Sequence, residues 1–268
     1  MPASRSPSRA AEPIPRSRSL WPVILIVLAA LLAVIVFELP ASIITHFLPP
    51  TVHAEDFSGS IWHGSAGKIS VMARDAGALE WRLHPAALLG MAVAADLHWV
   101  KVGFVLDADV KLDGKGIYVH DLKGSGPIED LRDLGVAAGW RGTADINFTD
   151  VHVDFGKPRS AAGDIRVSHL MAPQIADGAD LGGYDLRLAD GAVDGAGKVT
   201  AQLNDTGGPL DLQAVVNYSA ADRSGILSGT VRERAGAPPA LQSQLENLSQ
   251  LRGRNPQGRV PVDLEFSF

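Results

Sequence analysis

The chain has 268 residues, with 24 Lys and Arg against 30 Asp and Glu, a formal charge of −6 and no cysteine. That acidic balance argues against nucleic acid, whose binding rests on cationic patches that neutralise phosphates. The missing thiols exclude disulfides and cysteine chemistry, leaving only His and carboxylates as metal ligands.

Residues 1–19 are rich in Ser and Pro and carry Arg5, Arg9, Arg16 and Arg18 against one acid, Glu12. Such a segment buries too little apolar surface to fold and is predicted to be a disordered leader. From Leu20 to Leu39 the side chains are apolar apart from Glu38 near the far end. Roughly 20 such residues cross about 30 Å of hydrocarbon as a helix, so 20–39 is predicted to span a membrane. Pro22 sits in the first turn, where its missing N–H costs nothing, and Trp21 falls at headgroup level. Phe37 closes the apolar run; these three are the candidate anchor residues. The basic leader stays cytoplasmic under the positive-inside rule, and everything beyond the span crosses. A cleaved signal peptide has a shorter apolar core and a small-x-small site. Glu38-Leu39-Pro40-Ala41-Ser42 lacks a clean one, so the expectation is an uncleaved anchor.

Residues 40–56 read as a linker, with a helical turn around Ile43 and Ile44. Residues 57–268 read as one β domain, because strand signals begin near Gly59 and hardly stop. Leu79, Trp81 and Leu83 alternate with Glu80, Arg82 and His84. Phe104, Leu106, Ala108, Val110 and Leu112 alternate with Asp107, Asp109, Lys111 and Asp113. Period-2 alternation predicts strands with one buried and one wet face. Gly114-Lys115-Gly116 predicts a hairpin. Ile146 and Phe148 lie on even positions but Val151, Val153 and Phe155 on odd ones, so a bulge or turn at Thr149-Asp150 must switch the phase. Asp190-Gly191 and Gly207-Gly208 are turn candidates, and the chain ends on Val262, Leu264, Phe266 and Phe268.

Helical signals are few. Pro127 to Leu131 predicts a short helix closed near Gly135. A longer one begins at Pro238 or Pro239, with Leu241, Leu245, Leu248 and Leu251 expected on one face. Arg252 and Gly253 supply its C-terminal signals. The fold class is therefore mainly β: a single transmembrane helix followed by an antiparallel, curved and elongated sheet with one or two short helices. Whether the sheet closes, forms a sandwich or stays open is not decided by spacing.

No catalytic constellation emerges. His63-Gly64-Ser65-Ala66-Gly67 misses a nucleophile elbow because His63 stands where glycine belongs. Gly67-Lys68 and Gly197-Lys198 lack phosphate-loop spacing, and the histidines are never two residues or four residues apart. Asp107, Asp109 and Asp113 could suggest a Ca²⁺ site, but Lys111 fills a ligand slot and a strand splays its carboxylates about 7 Å apart. These read as turns and a solvated strand face, and no cofactor is expected. Trp62, Trp81 and Trp99 are candidate groove or partner contacts, although Trp81 and Trp99, each flanked by alternating polar residues, read as core first. Trp62, between Gly59 and Gly64, has the more unusual setting. Leu241, Leu245 and Leu248 are core first and a docking face second.

Three stretches resemble the N protein family of the bacterial type II secretion system. They are Gly59-Ser60-Ile61-Trp62-His63-Gly64-Ser65-Ala66, then Leu79-Glu80-Trp81-Arg82-Leu83-His84-Pro85 with Leu88-Leu89-Gly90. The third is the closing region of Gly229-Thr230-Val231, Ala237-Pro238, Gly258-Arg259 and a last strand. Asn147 to Gly208 carries no matching motif. The resemblance implies an accessory inner-membrane subunit with a periplasmic β domain. Its partners would be other secretion subunits, the inner-membrane platform or the outer-membrane secretin, together with inner-membrane lipid. It implies no catalytic residues. A curved sheet with an apolar concave face under one anchor is also similar to AsmA-like lipid-handling proteins, the alternative expectation.

Overall fold

The computed structural model describes residues 38–267 apart from positions 135, 137, 174, 176 and 177. The expected leader and nearly all of the expected span, with Trp21, Pro22 and Phe37, lie outside the described residues. No helix among the described residues is long and apolar enough to cross a membrane.

Thirteen strands make one sheet. They are β1 (Val52–Gly59), β2 (His63–Val71), β3 (Arg74–Leu83), β4 (Val93–Lys101), β5 (Phe104–Leu112), β6 (Ile117–Pro127) and β7 (Arg141–Asp154). There follow β8 (Lys157–Met171), β9 (Gly183–Leu188), β10 (Lys198–Gly207), β11 (Leu210–Ser219), β12 (Ser224–Glu233) and β13 (Val260–Ser267). Each strand pairs antiparallel with the next, in chain order, so β1 and β13 are the two edges of an open meander. Tight turns join many of these pairs, while the longer connections after β6 and β12 carry helical segments and still return the chain to the neighbouring position.

β1 begins at Val52, inside the stretch expected as linker, and Ala41–Phe47 ahead of it is a 3₁₀ segment. The strand escapes a period-2 reading because Asp56 is left-handed, at φ +57°. Its partly buried positions pass from even (Val52, Ala54) to odd (Phe57) at that residue. The phase change in β7 is real: against β8 the register shifts between Phe148 and Asp150. Phe155 does not continue that strand. With Gly156 it forms the β7–β8 turn, both at positive φ, the geometry a two-residue hairpin requires, and its side chain is exposed.

A single sheet must cover one face to bury it. Here three short segments do so in turn. Ala41–Phe47 lies over Ala66 and Trp81. A 3₁₀ segment at Ile128–Leu134 seals Phe104 and Ala144, with Trp99 at the margin. The helix α1 (Pro239–Arg252) places Leu241 against Ala172, Leu181 and Ala237, and Leu245 against Val231 and Val260. Leu248 joins the second of these clusters, whereas Leu251 is 84% exposed. The reason is helical phase: two successive three-residue steps each fall about 60° short of a full turn, which carries Leu251 off the stripe.

Candidate docking site

The loop between β1 and β2 wraps one indole. Gly59 takes φ +78°, and any Cβ there would lie 2.3 Å from the His63 carbonyl oxygen, so the chain turns only with glycine at this point. Ser60 N–H donates to that same oxygen at 2.9 Å. Across the β2–β3 pair, Gly64 stands opposite Trp81. The Trp81 Nε1–H donates to the Ile61 carbonyl at 2.9 Å, and the Leu83 N–H donates to the Trp62 carbonyl at 2.7 Å. Phe57 meets the indole edge-on, with ring centroids 6.4 Å apart. The first two motifs of the sequence therefore form one object, a loop closed over a buried Trp81.

Beside it, between the 3₁₀ segment and β1–β4, lies a cavity of about 350 Å³. Its lining, which includes Ile44, Leu48, Phe57, Ile69, Leu79 and Leu97, is wholly apolar. A space of that size and character is what an acyl chain or an apolar side chain fills.

The opposite face of the same strands is polar. A shallow hollow of about 590 Å³ is lined by His63, Glu80, Arg82, Asp96, His98, Asp107, Asp109 and Asp121, among others. Two histidine–aspartate contacts cross the ladder, His98 to Asp107 at 2.6 Å and, at the margin, His84 to Asp96 at 2.6 Å. Asp113 accepts the Lys115 and Gly116 N–H groups of the β5–β6 turn. The Lys115 bond above all holds its carboxyl below the ordinary range. Of the three aspartates weighed as a Ca²⁺ site, Asp107 is thus committed to a histidine and Asp113 to a turn. Among the described residues no group of three His, Asp or Glu side chains could hold a metal ion.

At the other end, the third motif is also a clasp. Arg259, leading into β13, grips Asp211 of β11 with two guanidinium nitrogens, each at 2.9 Å from a carboxylate oxygen, and donates from Nε to Thr230 Oγ1 of β12 at 2.8 Å. Arg232 adds a bond to Asp211 at 2.7 Å. Both Arg259 and Asp211 are largely buried, and the Arg259 guanidinium, with help from Arg232, holds the Asp211 carboxyl below the ordinary range. Nearby, Asp205 receives Arg234 at 2.6 Å and the Leu212 N–H at 2.9 Å. The last strand is pinned to the sheet, yet Asp263, Leu264 and Glu265 stay exposed along it. Among the described residues β13 pairs with β12 alone.

The structure therefore does not bring the candidate contacts together. Trp62 and Trp81 share the loop near β1, with Trp62 half-exposed and Trp81 buried. Trp99 is half-buried, its ring 6.0 Å from that of Phe104 and its Nε1–H donating to the Ala76 carbonyl at 2.5 Å. Leu241, Leu245 and Leu248 lie on the sheet-facing side of α1, at the far end of the meander. The Asp211–Arg259 clasp was not read from the sequence, because partners 48 residues apart carry no local signal; Gly258-Arg259 and Thr230 in the closing motif were the only hint.

Comparison with curated proteins and with solved structures finds no match for this chain. Residues 50–263, from just ahead of β1 into β13, match the family model for the type II secretion system protein N, and the chain belongs to that family.

Proposed function

We propose that this chain is an accessory subunit of a type II secretion apparatus, anchored in the inner membrane by residues 20–39, whose periplasmic sheet docks other subunits of the apparatus. The observation that carries this is the one-sided edge strand β13 at the end of an open meander. Edge strands offer main-chain donors and acceptors to an incoming strand, which supplies affinity without a catalytic constellation. The opposite edge is less suited, since Pro40 already pairs with Ser60 at the end of β1. The exposed Glu265 favours a partner strand with a basic side chain, while Asp263 is already paired with Arg252 at 2.9 Å.

A photo-crosslinking residue at Leu264 in the full-length chain, in cells running the apparatus, tests this. The expected result is an adduct with another secretion subunit that is missing when the crosslinker sits at Val215, on an interior strand. Equal adducts from both positions, or secretion unchanged when the chain is deleted, would count against docking.

The apolar cavity under the 3₁₀ segment favours a second reading, a lipid-handling envelope protein. Extraction of the purified protein followed by mass spectrometry decides it: absence of stoichiometric lipid removes this alternative.

A further inference from the structure

We infer that the β3–β4 connection, Pro85 to Ala92, rests in the surface of the bilayer and fixes how the sheet stands on the membrane. The inference builds on the anchored reading above.

The chain enters the sheet at one identifiable place. Pro40 pairs with Ser60, just past the end of β1, and the 3₁₀ segment then runs back over the sheet before β1 begins at Val52. β1 and β3 run the same way, since each is antiparallel to β2, so their C-terminal ends share one rim. The register makes this concrete: Gly59 faces Gly64, which faces Trp81, and His63 faces Arg82. On the anchored reading the span ends at Leu39, so Pro40 on this rim is the next residue in the chain after the span.

The connection after β3 stands on that same rim, and it is greasy where a solvent loop would be polar. From Pro85 to Ala95 there is no charged residue at all. Leu89 is 92% exposed, Met91 89% and Leu88 49%. The loop is built rather than slack. Pro85–Gly90 is a 3₁₀ turn, the Met91 N–H donates to the Leu88 carbonyl at 3.0 Å, and the Ala92 N–H donates to the Ala87 carbonyl at 3.2 Å. The His84 N–H closes its base on the Ala94 carbonyl at 2.8 Å. A rigid, uncharged tip that holds large apolar side chains in water is a membrane- or partner-contact feature. The opposite rim also exposes apolar side chains, but only at tight turns: Met72 with Val71 beside it and the exposed Arg74 two residues on, and Val102 next to the buried Lys101.

The absence of cysteine makes the test direct. Leu89→Cys and, separately, Met91→Cys in the full-length chain are labelled with an environment-sensitive fluorophore. The protein is reconstituted in vesicles of phosphatidylethanolamine and phosphatidylglycerol. Met72→Cys, on the far rim, is the comparison, and circular dichroism checks each fold. The expected result is blue-shifted emission at 89 and 91 and several-fold stronger quenching by spin-labelled lipid than at 72. Labels at 89 and 91 that emit as in water would overturn the inference. So would labels shielded from water but untouched by spin-labelled lipid, which would mean a protein neighbour. Flotation separates the two layers of argument. A chain that floats with its 89 label in water sinks only the rim contact, whereas a chain that fails to float sinks the anchor as well.

Discussion

Gly64 exists in this sheet to make room for Trp81. A Cβ at 64 would fall 2.7 Å from the Trp81 Cζ2, 2.6 Å from the Ser60 carbonyl oxygen and 2.9 Å from the Ser58 carbonyl oxygen. Two of those three atoms are backbone and cannot step aside. One small residue on β2 and one large residue on β3 thereby hold the entry loop in a single conformation.

Gly64→Ala should therefore destabilise the protein by about 1–3 kcal/mol, the usual cost of overpacking a well-filled site. Trp81→Ala should cost about 3–5 kcal/mol, since it empties a large site and leaves the Ile61 carbonyl without its donor. In a Trp81→Phe background the added methyl at 64 should cost less, because the colliding Cζ2 is gone. Chemical denaturation of the four proteins measures that coupling. Strict additivity would show that the two residues do not share the space.

Removing Arg259 leaves the largely buried Asp211 carboxylate with only Arg232, itself half-exposed. Arg259→Ala should cost about 3 kcal/mol, in the range for breaking a buried pair by deleting one partner. The same contact has a pH signature. The Asp211 carboxyl titrates lower in the folded chain than the unfolded value of about 3.9. Its stabilisation is complete above that value and disappears as pH falls through the folded one. Denaturation midpoints from neutrality down to strong acid should show this loss in the parent protein, and a smaller one in Asp211→Asn.

Tyr184 governs the alkaline side. Burial, reinforced by Asp205 and Asp180, pushes its phenol up to about 12, and its O–H donates to the Leu181 carbonyl at 3.1 Å. The unfolded phenol ionises near 10, so the unfolded state sheds its proton first. This stabilisation is present below about 10 and is lost as pH rises toward the folded value. Ultraviolet titration of the three tyrosines should show one late transition, absent in Tyr184→Phe.

The α1 stripe is testable by contrast. Leu241 and Leu245 are 4% and 6% exposed, so alanine at either should cost about 2–5 kcal/mol. Leu251→Ala, on the water side, should stay within about 0.5 kcal/mol. Thermal unfolding of the three variants orders them.

Strand content was legible wherever alternation ran unbroken, as from Phe104 to Leu112, and so were α1 and the phase switch in β7. β1 was not, because Asp56 breaks the period that reveals a strand. Phe155 was misplaced because a hairpin tip tolerates an apolar side chain that alternation alone assigns to the core. The docking candidates separated for a similar reason. Spacing says which residues share a face, but not whether a covering segment has already taken that face.

Local pattern by itself determined the class of the molecule: acidic, thiol-free, rich in alternating strands with few helical signals, and close enough to protein N of type II secretion for the family to be read from three short stretches. Those properties depend on neighbours in the chain, through side-chain period, turn chemistry and composition. Tertiary structure alone decided that the meander stays open, that Trp81 is enclosed by its own entry loop, that Asp211 meets Arg259, and that Leu88, Leu89 and Met91 stand in the open on the rim where Pro40 enters. Each of those depends on distances between residues remote in sequence, which backbone pairing and packing set and local pattern does not encode.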